Sequence, residues 1–102
     1  EVNKLGLTAP MVGHVGDGNF HSIVLYDPHD KEKQKKIRQY SDDLINKALE
    51  LEGTITGEHG IGLQKKHYLL KEHLDNLPVM KAIKRSLDTN NIMNPGKVFD
   101  LN

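Results

Sequence analysis

Apolar and polar positions divide the chain into segments of different period. From Thr8 to Leu25, two apolar runs flank Gly16-Asp17-Gly18-Asn19. Asp-Gly between two such runs is a hairpin signal, because the tight primed turn needs left-handed dihedrals at both central positions. The second run, Phe20 to Tyr26, is rich in β-formers. Asp27-Pro28-His29-Asp30 ends that strand, and Asp30 can cap a helix. From Lys31 to about Glu52 the apolar residues are Ile37, Tyr40, Leu44, Ile45, Ala48 and Leu51. Their spacings of three and four predict an amphipathic helix with one buried stripe, terminated by Gly53.

Gly53-Thr54-Ile55-Thr56-Gly57 is short and β-branched, and reads as a strand. Glu58-His59-Gly60-Ile61-Gly62 is a glycine-punctuated loop. Leu63 to Leu70 reads as a short helix and Asn76 to Leu87 as another, with Pro78 in its first turn, where the missing N–H does no harm. Val79, Met80, Ile83 and Leu87 are expected to form its buried face, and Asn94-Pro95-Gly96 a turn. Two strands, a helix, a strand and two helices make an α+β arrangement. There are no internal repeats.

Composition narrows this picture. The 102 residues allow one small domain, and with 36% apolar residues the core is expected to be thin or shared with a partner. Lys plus Arg and Asp plus Glu are 14 each, a formal net charge of zero, which argues against a nucleic-acid binder. The Lys31–Lys36 run is broken by Glu32 and Gln34 and reads as a solvated helix face. The absence of cysteine excludes disulfides, thiolate catalysis and cysteine-based zinc sites. No stretch has the length and apolarity of a membrane span. No secretory leader is visible, and the first residue is Glu, which leaves room for residues upstream.

Two constellations could carry chemistry. If Asp17-Gly18 is a two-residue turn, Gly16 pairs with Asn19 and His14 lies opposite His21, with Cβ atoms about 5 Å apart. Two imidazoles held that way could bind one metal ion, or they are simply polar residues on a part-exposed hairpin. Glu58-His59 lies between Gly57 and Gly60, in the kind of loop that carries functional groups on a rigid scaffold. Two histidines and a carboxylate leave positions open on a divalent ion, and His59 would remain as a general base. The same pair also suits an ordinary surface. His29, His67 and His73 read as solvent-facing, Met80 and Met93 as core fillers, and Tyr68 as packing.

At these residues the chain resembles the FAD-linked oxidases of the vanillyl-alcohol-oxidase type. Gly13-His14-Val15-Gly16-Asp17-Gly18-Asn19-Phe20-His21 matches their metal-binding signature. Gly53 to Gly62 matches a second signature, and Asp88 with Asn91-Ile92-Met93-Asn94-Pro95-Gly96-Lys97 a closing one. The three occur in the family's order, from about Ala9 to Phe99. The family includes cytochrome-type D-lactate dehydrogenases, glycolate oxidase flavoprotein subunits and D-2-hydroxyglutarate dehydrogenases.

The resemblance implies that His14, His21 and Glu58 hold a divalent metal, zinc or manganese. It implies that His59 takes the substrate hydroxyl proton while hydride passes to FAD, and that Asn94 and Lys97 lie near the flavin or the domain interface. The implied fold is part of a ferredoxin-like cap domain, with residues 1–102 as its C-terminal segment and the flavin-binding domain elsewhere. The chain alone is therefore expected to be inactive, and to associate with the rest of the same enzyme or with itself. Phe20 and the Gly57–Gly62 run look like the D-lactate and glycolate enzymes. The D-2-hydroxyglutarate enzymes tend to carry Asn two positions after the second histidine, where this chain has Ile23.

The implied partners are a short 2-hydroxy acid and an electron acceptor, cytochrome c or a quinone pool. The implied location is the bacterial cytoplasm or inner-membrane periphery, or the mitochondrion in a eukaryote. A non-catalytic assembly module and a hydrolytic metalloenzyme are the alternatives. The presence of every implied ligand and the base argues against the first, and the three-motif match against the second.

Overall fold

A short helix, α1 (Val2–Leu5), leads into an antiparallel pair, β1 (Met11–Val12) and β2 (His21–Ser22), in the computed structural model, which describes residues 2–102. Together with the long helix α2 (Lys31–Glu50) these elements belong to a first compact unit, residues 1–53; residues 54–102 form a second. The class is α+β, as expected: a two-stranded antiparallel sheet plus helices.

The hairpin forms, but in a different register from the one expected. Met11 pairs with Ser22 and Val12 with His21, and a further bridge joins Thr8 to Leu25. His14 therefore does not lie opposite His21. A primed Asp-Gly turn needs positive φ at both residues, whereas Asp17 belongs to a right-handed 3₁₀ turn, Val15–Asp17, and only Gly18 is left-handed, at φ 74°. The His14 carbonyl closes this wider connection by accepting the N–H groups of Asp17 at 2.9 Å and Asn19 at 3.2 Å. The arms approach closely at its mouth. A Cβ on Gly13 would lie 2.5 Å from Phe20 Cα and 2.6 Å from the Asn19 carbonyl oxygen, so only glycine fits.

Helix α2 starts where its cap predicts. The Asp30 carboxylate accepts the Lys33 N–H at 3.0 Å. Tyr40 is buried, and its hydroxyl and the Ser22 hydroxyl hydrogen-bond at 2.7 Å, which ties α2 to β2 beside His21. Ile37, Leu44, Ile45 and Ala48 are half-buried, whereas Leu51, expected on the same stripe, is exposed beyond the last helical turn. The helix ends in a Schellman motif: Gly53 N–H reaches the Ala48 carbonyl at 2.8 Å and Glu52 N–H the Leu49 carbonyl at 3.0 Å. The left-handed residue is Glu52, at φ 62°, not Gly53. Gly53 serves close approach instead, since a Cβ there would sit 3.0 Å from the Ala48 oxygen.

The second unit holds α3 (Lys66–His73), a 3₁₀ turn (Leu74–Asn76) and α4 (Leu77–Leu87), with Ile55, Leu69 and Leu77 buried. Residues 53–57 do not form the expected strand: no strand pairs with them among the described residues. Helix α3 starts three residues later than expected, at Lys66 rather than Leu63. Gly62 is left-handed at φ 56°, and the chain re-enters helix only through a turn in which Lys65 N–H reaches the Ile61 carbonyl.

Helix α4 carries Pro78 in its first turn as expected, but its apolar stripe is largely uncovered. Val79 is 63% exposed, Ile83 55% and Leu87 81%, while Met80 is half-buried. Met93, expected as a core filler, is also exposed. Among the described residues no helix is long and apolar enough to cross a membrane.

The C-terminus of α2 yields a stability test. A left-handed non-glycine residue costs about 1–2 kcal/mol, and the extra unfolded freedom of glycine takes back about 0.5–1 kcal/mol. Glu52→Gly is expected to stabilise the chain by up to about 1 kcal/mol, whereas Gly53→Ala destabilises it. Urea unfolding followed by circular dichroism measures both, and a lower midpoint for Glu52→Gly would contradict this account of the cap.

Candidate functional site

The hairpin presents two of the anticipated residues. His21 is half-buried on β2, next to the Ser22 that Tyr40 holds. His14 is exposed and precedes the 3₁₀ turn, its backbone fixed by the two N–H groups on its carbonyl. The register places Val12 opposite His21, and His14 lies two residues further along the same arm.

The second unit presents Glu58 and His59. They occupy a loop whose Gly57, Gly60 and Gly62 all have positive φ, at 60°, 81° and 56°. Those values are easy only for glycine and force the chain into tight reversals around the pair. Both side chains reach solvent, His59 at 76% and Glu58 at 45% exposure, and His59 Nε2 lies 3.6 Å from Glu58 Oε1.

This loop is held from outside. On its N-terminal side, Lys65 Nζ donates to the carbonyls of Ile55 and Thr56, each at 3.0 Å. The nearly buried Glu72 carboxylate accepts the Ile55 N–H at 3.2 Å. On its C-terminal side, Val98 N–H donates to the Gly62 carbonyl at 2.8 Å. Neither Lys65 nor Val98 stands out in the sequence. Lys65 is one of two adjacent lysines in a charged stretch, and Val98 follows the closing motif as an ordinary apolar residue.

The closing motif is organised by Asp88, at the C-terminus of α4. Its carboxylate accepts the N–H groups of Ile92 and Met93, each at 3.0 Å, and pairs with Lys84 one turn back. The Lys84 ammonium also donates to the Met93 carbonyl. The hydrogen bond from Lys84 holds the Asp88 carboxyl below the usual carboxylate range; burial pushes the other way, and the two backbone N–H groups add to the lowering. Asn94 and Lys97, anticipated near a cofactor, line one cavity of about 300 Å³ together with Asn91 and Lys84. Asn91, Asn94 and Val98 have positive φ, at 49°, 46° and 69°. His67 is exposed and its ring lies 3.8 Å from that of the half-buried Tyr68.

The sequence matches the family described as "FAD linked oxidases, C-terminal domain" over residues 1–98. The chain belongs to the C-terminal domain family of the FAD-linked oxidases. It is 48% identical over 97 residues to a probable mitochondrial D-lactate dehydrogenase of Danio rerio, covering 93% of this chain and 19% of that protein. It is 41% identical over 100 residues to the mitochondrial D-lactate dehydrogenase [cytochrome] of Arabidopsis thaliana, covering 97% of this chain and 18% of the relative. It is 44% identical over 97 residues to the glycolate oxidase subunit GlcD of Bacillus subtilis, covering 94% of this chain and 21% of that subunit. The FAD-linked oxidase domain described here thus spans about a fifth of the length of these relatives.

The Asp88 cluster of this FAD-linked oxidase domain makes stability depend on acid. Its carboxyl titrates lower folded than unfolded. The stabilisation it provides is therefore complete above the unfolded value, about 4, and is lost as the pH falls through the folded value. Asp88→Asn is expected to lower the urea midpoint at neutral pH and to weaken the further loss below about pH 4. Urea titrations of both forms across that range measure this, and parallel pH profiles would refute it.

Proposed function

We propose that this domain is the substrate-side part of an FAD-dependent dehydrogenase that oxidises D-lactate, or a similarly short 2-hydroxy acid, to the 2-oxo acid. The observation that carries the reading is the solvent-facing Glu58–His59 pair, in a glycine loop whose backbone is held at both ends. Family membership and the D-lactate dehydrogenase relatives support it. Residues 1–102 then act as the C-terminal segment of a cap domain, and the rest of the enzyme covers the exposed stripe of α4.

In this reading His59 accepts the substrate hydroxyl proton at an imidazole nitrogen. His14, His21 and Glu58 hold a divalent ion, zinc or manganese. Two imidazoles and a carboxylate are borderline donors that suit either ion and leave positions open. Held there, such an ion would supply positive charge to favour an ionised substrate oxygen. FAD supplies the acceptor for the hydride from the substrate carbon. Asn94 and Lys97 contact the cofactor side; Lys97, which lines their cavity, suits a polar or anionic group. Loop placement leaves His59 reachable by substrate, and the backbone contacts of Ile55, Thr56 and Gly62 keep it in place. Electrons pass onward to cytochrome c or a quinone, the former suggested by the cytochrome-type relative. The enzyme would be mitochondrial in a eukaryote, and cytoplasmic or peripheral at the inner membrane in a bacterium. Glycolate is the second candidate substrate, favoured by the likeness to the glycolate oxidase subunit.

The test is made on the flavin-loaded enzyme that carries this chain. One equivalent of zinc or manganese by elemental analysis is expected, lost in His14→Ala and Glu58→Ala. His59→Gln is expected to keep the metal while kcat falls roughly 10²–10⁴-fold. Full activity of His59→Gln would remove it as the base, and retention of metal in both ligand variants would remove the metal site. Comparing kcat/KM for D-lactate and glycolate decides the substrate. The chain by itself is expected to oxidise neither.

A further inference from the structure

The loop from Gly57 to Gly62 turns on glycines. Its three left-handed glycines allow its shape, but glycine also leaves the backbone free to depart from it. Two contacts from outside oppose that freedom. Lys65 is half-buried, and its ammonium bridges two successive carbonyls, Ile55 and Thr56, immediately before Gly57. Charge-assisted bonds of this kind are stronger than neutral ones. At the other end Val98 donates its N–H to Gly62 from a backbone at φ 69°. A β-branched residue at positive φ is a genuine outlier and persists only where its surroundings impose it. The surroundings are visible. Asn94 and Gly96 turn the chain, with Lys97 N–H on the Asn94 carbonyl. Asp100 then pairs with Lys66 at the start of α3, at 2.7 Å. The tail is thus drawn back onto the first turn of α3, and Val98 is forced against Gly62.

We propose that Lys65 and Val98 are a two-ended clamp that positions the Glu58–His59 loop, so that the closing segment of the chain acts on catalysis without touching substrate. The proposal rests on the reading of His59 as the base, and it assigns Lys65 and Val98 as positioning residues. A misplacement of about 1 Å at a reacting group costs up to about 100-fold, so slackening either end lowers turnover.

The experiment compares Lys65→Met and Val98→Pro in the flavin-loaded enzyme, with Lys65→Arg and Val98→Gly as conservative partners. Lys65→Met keeps the length of the side chain and removes the charge. Val98→Pro removes the N–H and forbids the positive φ, whereas Val98→Gly keeps the donor and relieves the strain. Both disruptive variants are expected to lose about tenfold or more in kcat and to speed amide hydrogen exchange at residues 57–62. The conservative variants are expected to restore both. If Lys65→Met keeps wild-type kcat while His59→Gln is inactive, the clamp is wrong and the base assignment stands. If His59→Gln is itself active, the base assignment fails, and exchange at residues 57–62 alone decides whether the clamp exists. Should Val98→Pro fail to fold, Lys65→Met decides on its own. Unchanged exchange there in a folded variant overturns the proposal.

Discussion

The second unit is arranged around an unpaired stretch of backbone. Ile55 is buried, so its N–H and carbonyl need partners, yet among the described residues no strand lies beside it. Side chains supply what a ladder would: Glu72 accepts the N–H, and Lys65 donates to the carbonyl and to the next one. Both come from the α3 region, one just before the helix and the other in its last turn. Satisfying two residues of backbone therefore fixes the helix against the segment that enters the Glu58–His59 loop. A charged group pairing with a buried amide is a strong local constraint, and losing one member would leave the other uncompensated.

Helix α2 was legible because three independent signals agree at it: a capping Asp30, spacings of three and four, and a glycine near its end. Even there the division of labour at the C-terminus was hidden, since Glu52, and not the terminating Gly53, takes the left-handed conformation. Periodicity fails where the partner decides the outcome. Thr54-Ile55-Thr56 has strand composition, but a strand is a relation between two segments and composition describes only one. Likewise Asp17-Gly18 suits a two-residue turn, yet a 3₁₀ turn competes for Asp17, and the register moves with it.

The candidate site residues stand out for a different reason. His14, Glu58 and His59 stand out as polar groups set among glycines, and His21 lies three residues after Gly18, a contrast visible in one dimension. The residues that hold them have no such contrast. Tyr40 reads as a core residue and is one, but its hydroxyl also reaches Ser22 beside His21. Lys65 looks like a surface lysine, and Val98 contributes only its backbone. Asp88 lies between the two cases: the closing motif begins with it, while its grip on Ile92, Met93 and Lys84 appears only in three dimensions.

The most amphipathic pattern in the chain is the one least satisfied within it. Val79, Ile83 and Leu87 recur every four residues on α4, and all three face solvent. Met11 and Val12, on β1, are exposed as well. A helix with so regular an apolar stripe gains little from propensity alone and draws its stability from whatever covers that stripe. Among the described residues the buried hydrophobic ones are Leu7, Tyr40, Ile55, Leu69 and Leu77, a thin core. The chain spans about a fifth of its relatives. In the reading proposed above the rest of a longer enzyme covers these faces, which reconciles a strong sequence pattern with a thin core. It also gives the tail a double task, since the segment that presses Val98 against Gly62 leads directly out of the helix that such a partner would hold.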